Sequence, residues 1–159
     1  MRITIGSGHA GFDLKKVLIE PPRQSRHQVI DVGTNRTAPV DYAEFAEGVS
    51  LSLLRGECER GILLCGSGVG AAVAANMIPG IRAGICHDGY SAHQCVEHDD
   101  VNVLVLGARV VGVELAKDLC TTFLNARFTA EERHRRRLAT TLSIELRYTT
   151  EAAAREQEP

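Results

Sequence analysis

A chain of 159 residues, 44% of them hydrophobic, is long enough for one domain with a sizeable core. Its formal charge of -2 excludes a global electrostatic pull toward nucleic acid or an anionic membrane. No apolar run reaches the roughly 20 residues that a bilayer-spanning helix needs, and the apolar part of the N-terminus is too short for a signal peptide. The five cysteines (58, 65, 86, 95 and 120) are odd in number and include no C-x-x-C pair. They argue against a disulfide framework or zinc site, and for free thiols in the reducing cytoplasm.

Residues 2–5 form the first expected strand, followed by a helix on which Leu14, Val17 and Leu18 share a face. Pro21 and Pro22 mark an unusual turn before a second strand at 28–32. Phe45, Val49 and Leu53 line the next helical face, and Gly56 is its stop. A third strand over 61–65 enters a glycine loop and a short helix over 69–76, ending before Pro79. A fourth strand over 81–87, a helix over 90–97, a fifth strand over 101–107 and a helix over 113–126 follow. That last helix carries Ala116, Leu119, Cys120 and Phe123 on one stripe. The strands are short and almost continuously apolar, as strands covered on both faces are. Five strand–helix repeats predict an α/β fold, with a parallel sheet, right-handed crossovers and helices on both faces. A sixth helix over 130–148 has no strand after it, and its Leu138 and Leu142 need a surface that a second subunit would supply. Residues 1–148 are read as a single domain and 149–159 as a flexible tail.

In open parallel sheets ligands bind beyond the carboxyl ends of the strands, which directs attention to residues 6–11, 34–42, 66–70, 87–90 and 107–112. Gly6-Ser7-Gly8-His9-Ala10-Gly11 matches G-x-G-x-x-G, and Asp31 lies 20 residues after Gly11. This is the spacing of a dinucleotide site, in which a pyrophosphate meets a helix N-terminus. The competing reading is a plain glycine-rich turn: His9 is bulky inside the motif, and the chain is short for a cofactor domain plus a substrate domain. Cys65-Gly66-Ser67-Gly68-Val69-Gly70 is a second glycine loop at a strand-to-helix turn. Its amides can point at an anion, and a thiol beside a helix N-terminus can act as base or nucleophile. Cysteines more often only pack, and Cys86, Cys95 and Cys120 are read that way; Cys65 differs in the three glycines that follow it. His98, after a short helix, suits proton transfer, against the plainer reading of a solvated histidine. Arg133 and Arg137 lie one helical turn apart and can clamp a phosphate, while Arg135 and Arg136 point into solvent. An exposed basic face is the alternative; a nucleic-acid patch lacks aromatics and a basic balance.

Ile5-Gly6, His9-Ala10-Gly11-Phe12, Val29-Ile30-Asp31-Val32-Gly33-Thr34, Asp41-Tyr42 and the run from Gly61 to Gly70 are similar to the type B ribose-5-phosphate isomerases. Ala74-Ala75-Asn76, Pro79-Gly80-Ile81-Arg82-Ala83, Tyr90-Ser91-Ala92, Asn102-Val103-Leu104 and Gly107-Ala108-Arg109-Val110-Val111-Gly112 continue the resemblance in order. The family also contains the galactose-6-phosphate isomerase subunits. The resemblance implies a Rossmann-like three-layer αβα sandwich with a five-stranded parallel sheet, without a dinucleotide, a metal or another cofactor. It also implies homodimers or dimers of dimers, with active sites shared across the dimer and the C-terminal helix reaching the partner.

The activity it implies is aldose–ketose isomerisation of a sugar phosphate, ribose 5-phosphate to ribulose 5-phosphate or a related pair, through a cis-enediol. By resemblance Cys65 is the base between C2 and C1, Ser67 helps move protons between the sugar oxygens, and His98 helps open the furanose ring. The loop of Gly66, Gly68 and Gly70 would hold the enediolate with its amides. His9, Arg133 and Arg137 fall at phosphate-binding positions, and Tyr42 and Arg109 at substrate-binding ones. Some relatives carry a glutamate where this chain has Ala71, which assigns it to the cysteine branch. Gly8 and Asp99 stand at sugar-contacting positions where the family usually has Asp and Asn; Met77 replaces a common lysine, and Glu131-Glu132 a Gly-Gly. Asp99 is expected to supply a carboxylate from another side of the pocket, or Gly8 to widen it toward a different sugar. The alternative is a weakly active or non-catalytic binder of sugar phosphates or nucleotides on the same fold.

Overall fold

The computed structural model describes residues 1–155, and side chains as far as Thr150. Strands β1 (Arg2–Ser7), β2 (Gln28–Asp31), β3 (Arg60–Cys65), β4 (Ala83–Ile85) and β5 (Val103–Gly107) form one parallel sheet in the order β2-β1-β3-β5-β4. Successive residues of a strand point to opposite faces, so each strand feeds two cores. Ile62 and Leu64 of β3 and Leu104 and Leu106 of β5 pack with Leu14, Leu18, Leu119 and Phe123. Leu63, Val103 and Val105 pack on the other side with Ala46, Val49 and Ala75. The first face is covered by α1 (Phe12–Leu18), α5 (Gly89–Asp99) and α6 (Val113–Asn125), the second by α3 (Tyr42–Leu54) and α4 (Val69–Asn76). The result is the expected three-layer sandwich. Each of Ile62, Leu64, Leu104 and Leu106 is fully buried, worth about 1.5–3 kcal/mol of transfer free energy apiece.

Pro21 and Pro22 are not a turn but the first turn of a short helix, α2 (Glu20–Gln24), where a missing N–H costs nothing. On α1, Leu14 and Leu18 are buried as expected, but Val17 is 38% exposed and Lys15, at 2%, takes the inward place. The fourth strand is three residues long rather than the seven expected, and two asparagines hold the backbone where it begins. Asn102 Oδ1 accepts from the Arg82 amide at 2.8 Å, and its Nδ2 donates to the Gly80 carbonyl at 2.9 Å. Asn76 brackets Ala83, accepting from its amide at 2.8 Å and donating to its carbonyl at 2.9 Å. One side chain thus satisfies backbone groups that an edge strand would otherwise leave open.

The last helix, α7 (Glu132–Arg155), begins after Ala130, whose φ is 52°, and continues beyond residue 148. Part of the segment expected as a tail is therefore helical; residues 156–159 lie outside the described residues. Its start packs on the end of α5, and Glu145 Oε1 accepts from the Gly80 amide at 3.0 Å. Leu138 and Leu142 line a groove of about 340 Å³ with Ile81, Ala83, Asp99 and Val101, while Ile144, Leu146 and Tyr148 remain exposed.

Candidate active site

The carboxyl ends of β1 and β3 bring two glycine turns side by side, since Ser7 pairs with Leu64 and Cys65 with Gly107. Cys65 ends β3 half-buried, and its carbonyl accepts from the Ala108 amide at 2.8 Å. Gly68 caps α4 with φ 88°, a left-handed conformation that an L side chain resists, and no side chain caps the helix. Apart from the Val69 amide, the first-turn amides of α4 are therefore available to an anion. Ser67 Oγ accepts from the Val69 amide at 3.3 Å, which leaves its hydroxyl hydrogen free to donate. Tyr42, at the start of α3, lies against this turn: a Cβ on Gly70 would come within 2.7 Å of its ring. Arg109 lies beside Gly66, and its amide donates to the Gly66 carbonyl at 3.0 Å. Its guanidinium has no ion pair among the described residues. His9 Nδ1 accepts from the Val40 amide at 3.2 Å. A Cβ on Gly8 would meet Tyr42 Cβ at 3.4 Å with φ -75°, so the backbone there accepts a side chain.

The dinucleotide pattern in β1 and its turn has another explanation. Gly11 is required by packing, because a Cβ would lie 2.8 Å from the backbone of Leu64. Asp31 is already engaged: both carboxylate oxygens accept from Lys15 Nζ, at 2.7 and 2.8 Å, and Oδ1 also accepts from the Gly33 amide at 2.9 Å. The acid that would hold a ribose diol instead neutralises a buried lysine.

His98 and Asp99 lie at the other end of the sheet. They close α5, which starts above β4 and runs back for about 16 Å at 1.5 Å per residue. His98 Nδ1 is 2.8 Å from Gln94 Nε2, and its ring stacks on His134 of α7 with centroids 4.1 Å apart. His134 is 1% exposed, and burial, with the nearby His98 and Arg133, holds its pKa below 6.5. Arg133 and Arg137 follow on the same helix; Arg133 Nε is tied to Glu131 Oε2 at 2.8 Å, and Arg137 has no ion pair among the described residues. Within one chain, therefore, Gly8, His9, Tyr42, the loop from Cys65 to Gly70 and Arg109 gather at one end. His98, Asp99, Arg133 and Arg137 gather at the other.

The thiols separate in the same way. Burial raises Cys58 and pushes Cys120 up to about 12, and Cys86 is raised by donating its thiol hydrogen toward Cys95, 3.8 Å away. Cys65 is the cysteine that the fold leaves outside full burial, beside the open amides of α4. Lys15 was not singled out by the sequence reading, because a charged residue in an amphipathic helix is taken as solvent-facing. Its place between Leu14 and Leu18, with an acid closing the neighbouring strand, was the available signal.

A family model described as Ribose/Galactose Isomerase matches residues 3–141. Ribose-5-phosphate isomerase B of Escherichia coli (strain K12) is 41% identical over 146 residues, covering 92% of this chain and 97% of that protein. The D-erythrulose-4-phosphate isomerase of Pectobacterium atrosepticum is 38% identical over 130 residues, 80% of this chain and 85% of that one. The structure of Clostridium thermocellum ribose-5-phosphate isomerase B aligns with a TM-score of 0.90 and 43% identity, over 93% of this chain and 99% of that chain. The chain belongs to the ribose/galactose isomerase family.

Proposed function

We propose that this protein is an aldose–ketose isomerase of a phosphorylated sugar, interconverting D-ribose 5-phosphate and D-ribulose 5-phosphate or a closely related pair. The observation that carries this reading is the Cys65 thiol at the end of β3, half-buried beside the uncapped N-terminus of α4. Cys65 as thiolate takes the proton from C2 of the open-chain aldose; the C2 electron pair moves into the C1–C2 bond and the carbonyl pair onto O1. The cis-enediolate charge develops where first-turn amides of α4 can meet it. Ser67, with its hydroxyl hydrogen free, passes a proton between O2 and O1, and Cys65 returns its proton to C1. C2 is oxidised and C1 reduced, so the step balances without an external oxidant or reductant.

Ring opening and phosphate binding need the other half of the site. His98, Arg133 and Arg137 reach Cys65 only from a second copy of the chain, which supports a homodimer with shared sites or a dimer of two such dimers. His98 would donate to the ring oxygen, Asp99 and Arg109 would contact the sugar, and His9, Arg133 and Arg137 would bind the phosphate. Tyr42 and the amides of Gly66, Gly68 and Gly70 would line the sugar. Gly8 leaves room beside Tyr42, consistent with a sugar other than ribose 5-phosphate as the preferred substrate. The five thiols fit the cytoplasm.

The test is a coupled isomerase assay across tetrose, pentose and hexose phosphates, with Cys65→Ala as control. Turnover on one of them, lost by at least about 100-fold in the variant while calorimetric binding of that sugar phosphate persists, supports the proposed base. Full activity in Cys65→Ala removes it, and no turnover on any phosphorylated sugar favours the non-catalytic binder.

A further inference from the structure

Lys15 is among the most buried side chains in the protein, and a lysine is almost never buried unless its charge is met. Its ammonium has three hydrogens and three short bonds: to Asp31 Oδ1 at 2.7 Å, Asp31 Oδ2 at 2.8 Å and the Thr34 carbonyl at 2.7 Å. The Thr34 amide is held in turn by the Ser7 carbonyl at 2.9 Å. Thr34 is thus gripped on both sides at the point where the chain leaves β2 for α3. Residues 35–39 beyond it are exposed, and the crossover returns to the body of the protein at Val40. There the Val40 amide donates to His9 Nδ1 at 3.2 Å. A backbone amide is only a donor, so Nδ1 must be the bare acceptor and the ring hydrogen must sit on Nε2.

Lys15 is 2% exposed and the Asp31 side chain 35%; desolvation of the ammonium offsets much of the attraction, so the pair is weak evidence for stability, and apolar residues of similar volume can serve as well. What apolar residues cannot do is hold a backbone carbonyl in one place. We propose that Lys15 and Asp31 are positioning residues of the active site. The buried Lys15 ammonium, held by the half-exposed Asp31 carboxylate, anchors the β2–α3 crossover at Thr34, so that the Val40 amide fixes His9 in the tautomer that offers Nε2–H to the substrate's phosphate. The assignment rests on His9 being a phosphate contact, as read above. It also gives the acid of the G-x-G-x-x-G pattern a role in sugar-phosphate recognition.

The test is the double variant Lys15→Met/Asp31→Asn, which removes both charges together and leaves neither unpaired. Long-range proton–nitrogen spectra of the histidine rings report the His9 tautomer directly, with inorganic phosphate as the ligand probe. The wild type is expected to show a single Nε2–H form, and the variant a mixture of both tautomers. With substrate, KM for the sugar phosphate should rise about tenfold, the loss of one well-placed hydrogen bond to a charged group, with kcat changed by less than about twofold. A variant that keeps the single tautomer overturns the proposal, whatever its activity. If the spectra shift as expected but no sugar phosphate is turned over, the positioning stands and the isomerase reading fails. Should the double variant not fold, hydrogen exchange of wild-type Val40 decides: protection of its amide supports the lock on His9, and exchange at the free rate overturns it.

Discussion

At the scale of single residues, the two arginines of α7 are not equivalent. Arg133 shares its guanidinium with Glu131 at 2.8 Å, whereas Arg137 has no such partner among the described residues. A phosphate can therefore engage Arg137 directly but must compete with a carboxylate for Arg133. Arg137→Ala is expected to raise KM for the phosphorylated sugar by roughly tenfold or more, with a smaller effect from Arg133→Ala. Glu131→Gln should lower KM by releasing Arg133. Steady-state kinetics on the three variants check the order, and a larger effect from Arg133 than from Arg137 would contradict it. Glycines act at the same scale: at Gly70 the ring of Tyr42 occupies the space of a side chain, while at Gly8 a Cβ would come no nearer than 3.4 Å to Tyr42.

Elements convert those residues into a site. α4 offers its N-terminus because Gly68 turns the chain without capping it, and α5 ends on His98 stacked against the buried His134 of α7. Because the folded pKa of His134 lies below 6.5, the unfolded chain takes up a proton near pH 6.5 that the folded chain refuses. The stability from this group is thus fully present above pH 6.5 and is lost as the pH falls from there through the folded value. The thermal midpoint should drop between about pH 7.5 and pH 5.5, and His134→Phe, which keeps a ring against His98 without titrating, should make the drop smaller. Calorimetric scans across that range measure it. An equal drop in the variant would assign the effect to other groups.

For the whole molecule, Cys65 closes β3 and His98 lies at the end of the returning α5, so the proposed shared site predicts that two chains complement each other. Cys65→Ala and His98→Asn should each be inactive alone, yet partly active after the two proteins are mixed, unfolded and refolded together. Random pairing puts half of the dimers in mixed form, each with one intact site of two, so about a quarter of wild-type activity is expected. No recovery, with mixed dimers shown to form, would place both residues in one chain's site and contradict the shared arrangement. The exposed Leu142, Ile144 and Leu146 of α7, and the groove lined by Leu138 and Leu142, provide apolar surface for such a partner.

The sequence alone determined the architecture and the position of the Cys65 loop at a strand-to-helix turn. Short apolar strands separated by amphipathic helices encode a two-sided parallel sheet locally, and Cys65 before three glycines encodes a thiol at a helix N-terminus. The strand Ala83–Ile85 is shorter than its apolar run, and at its start Asn76 and Asn102 take backbone bonds at Ala83 and Arg82. Lys15 stayed hidden because burial of a charge is decided by its partner, and Asp31 meets it only once β2 lies beside β1. G-x-G-x-x-G with a following acid fits a dinucleotide site by spacing alone, although His9 and the family resemblance already speak against it, and the Lys15 pairing shows what the acid does instead. The separation of His98 from Cys65 also belongs to tertiary structure: a residue closing a strand and one closing the return helix lie toward opposite ends of the strands. Residue types and spacing are properties of the chain; which charge is neutralised, and which end of the molecule a side chain occupies, depend on contacts made only when distant segments pack.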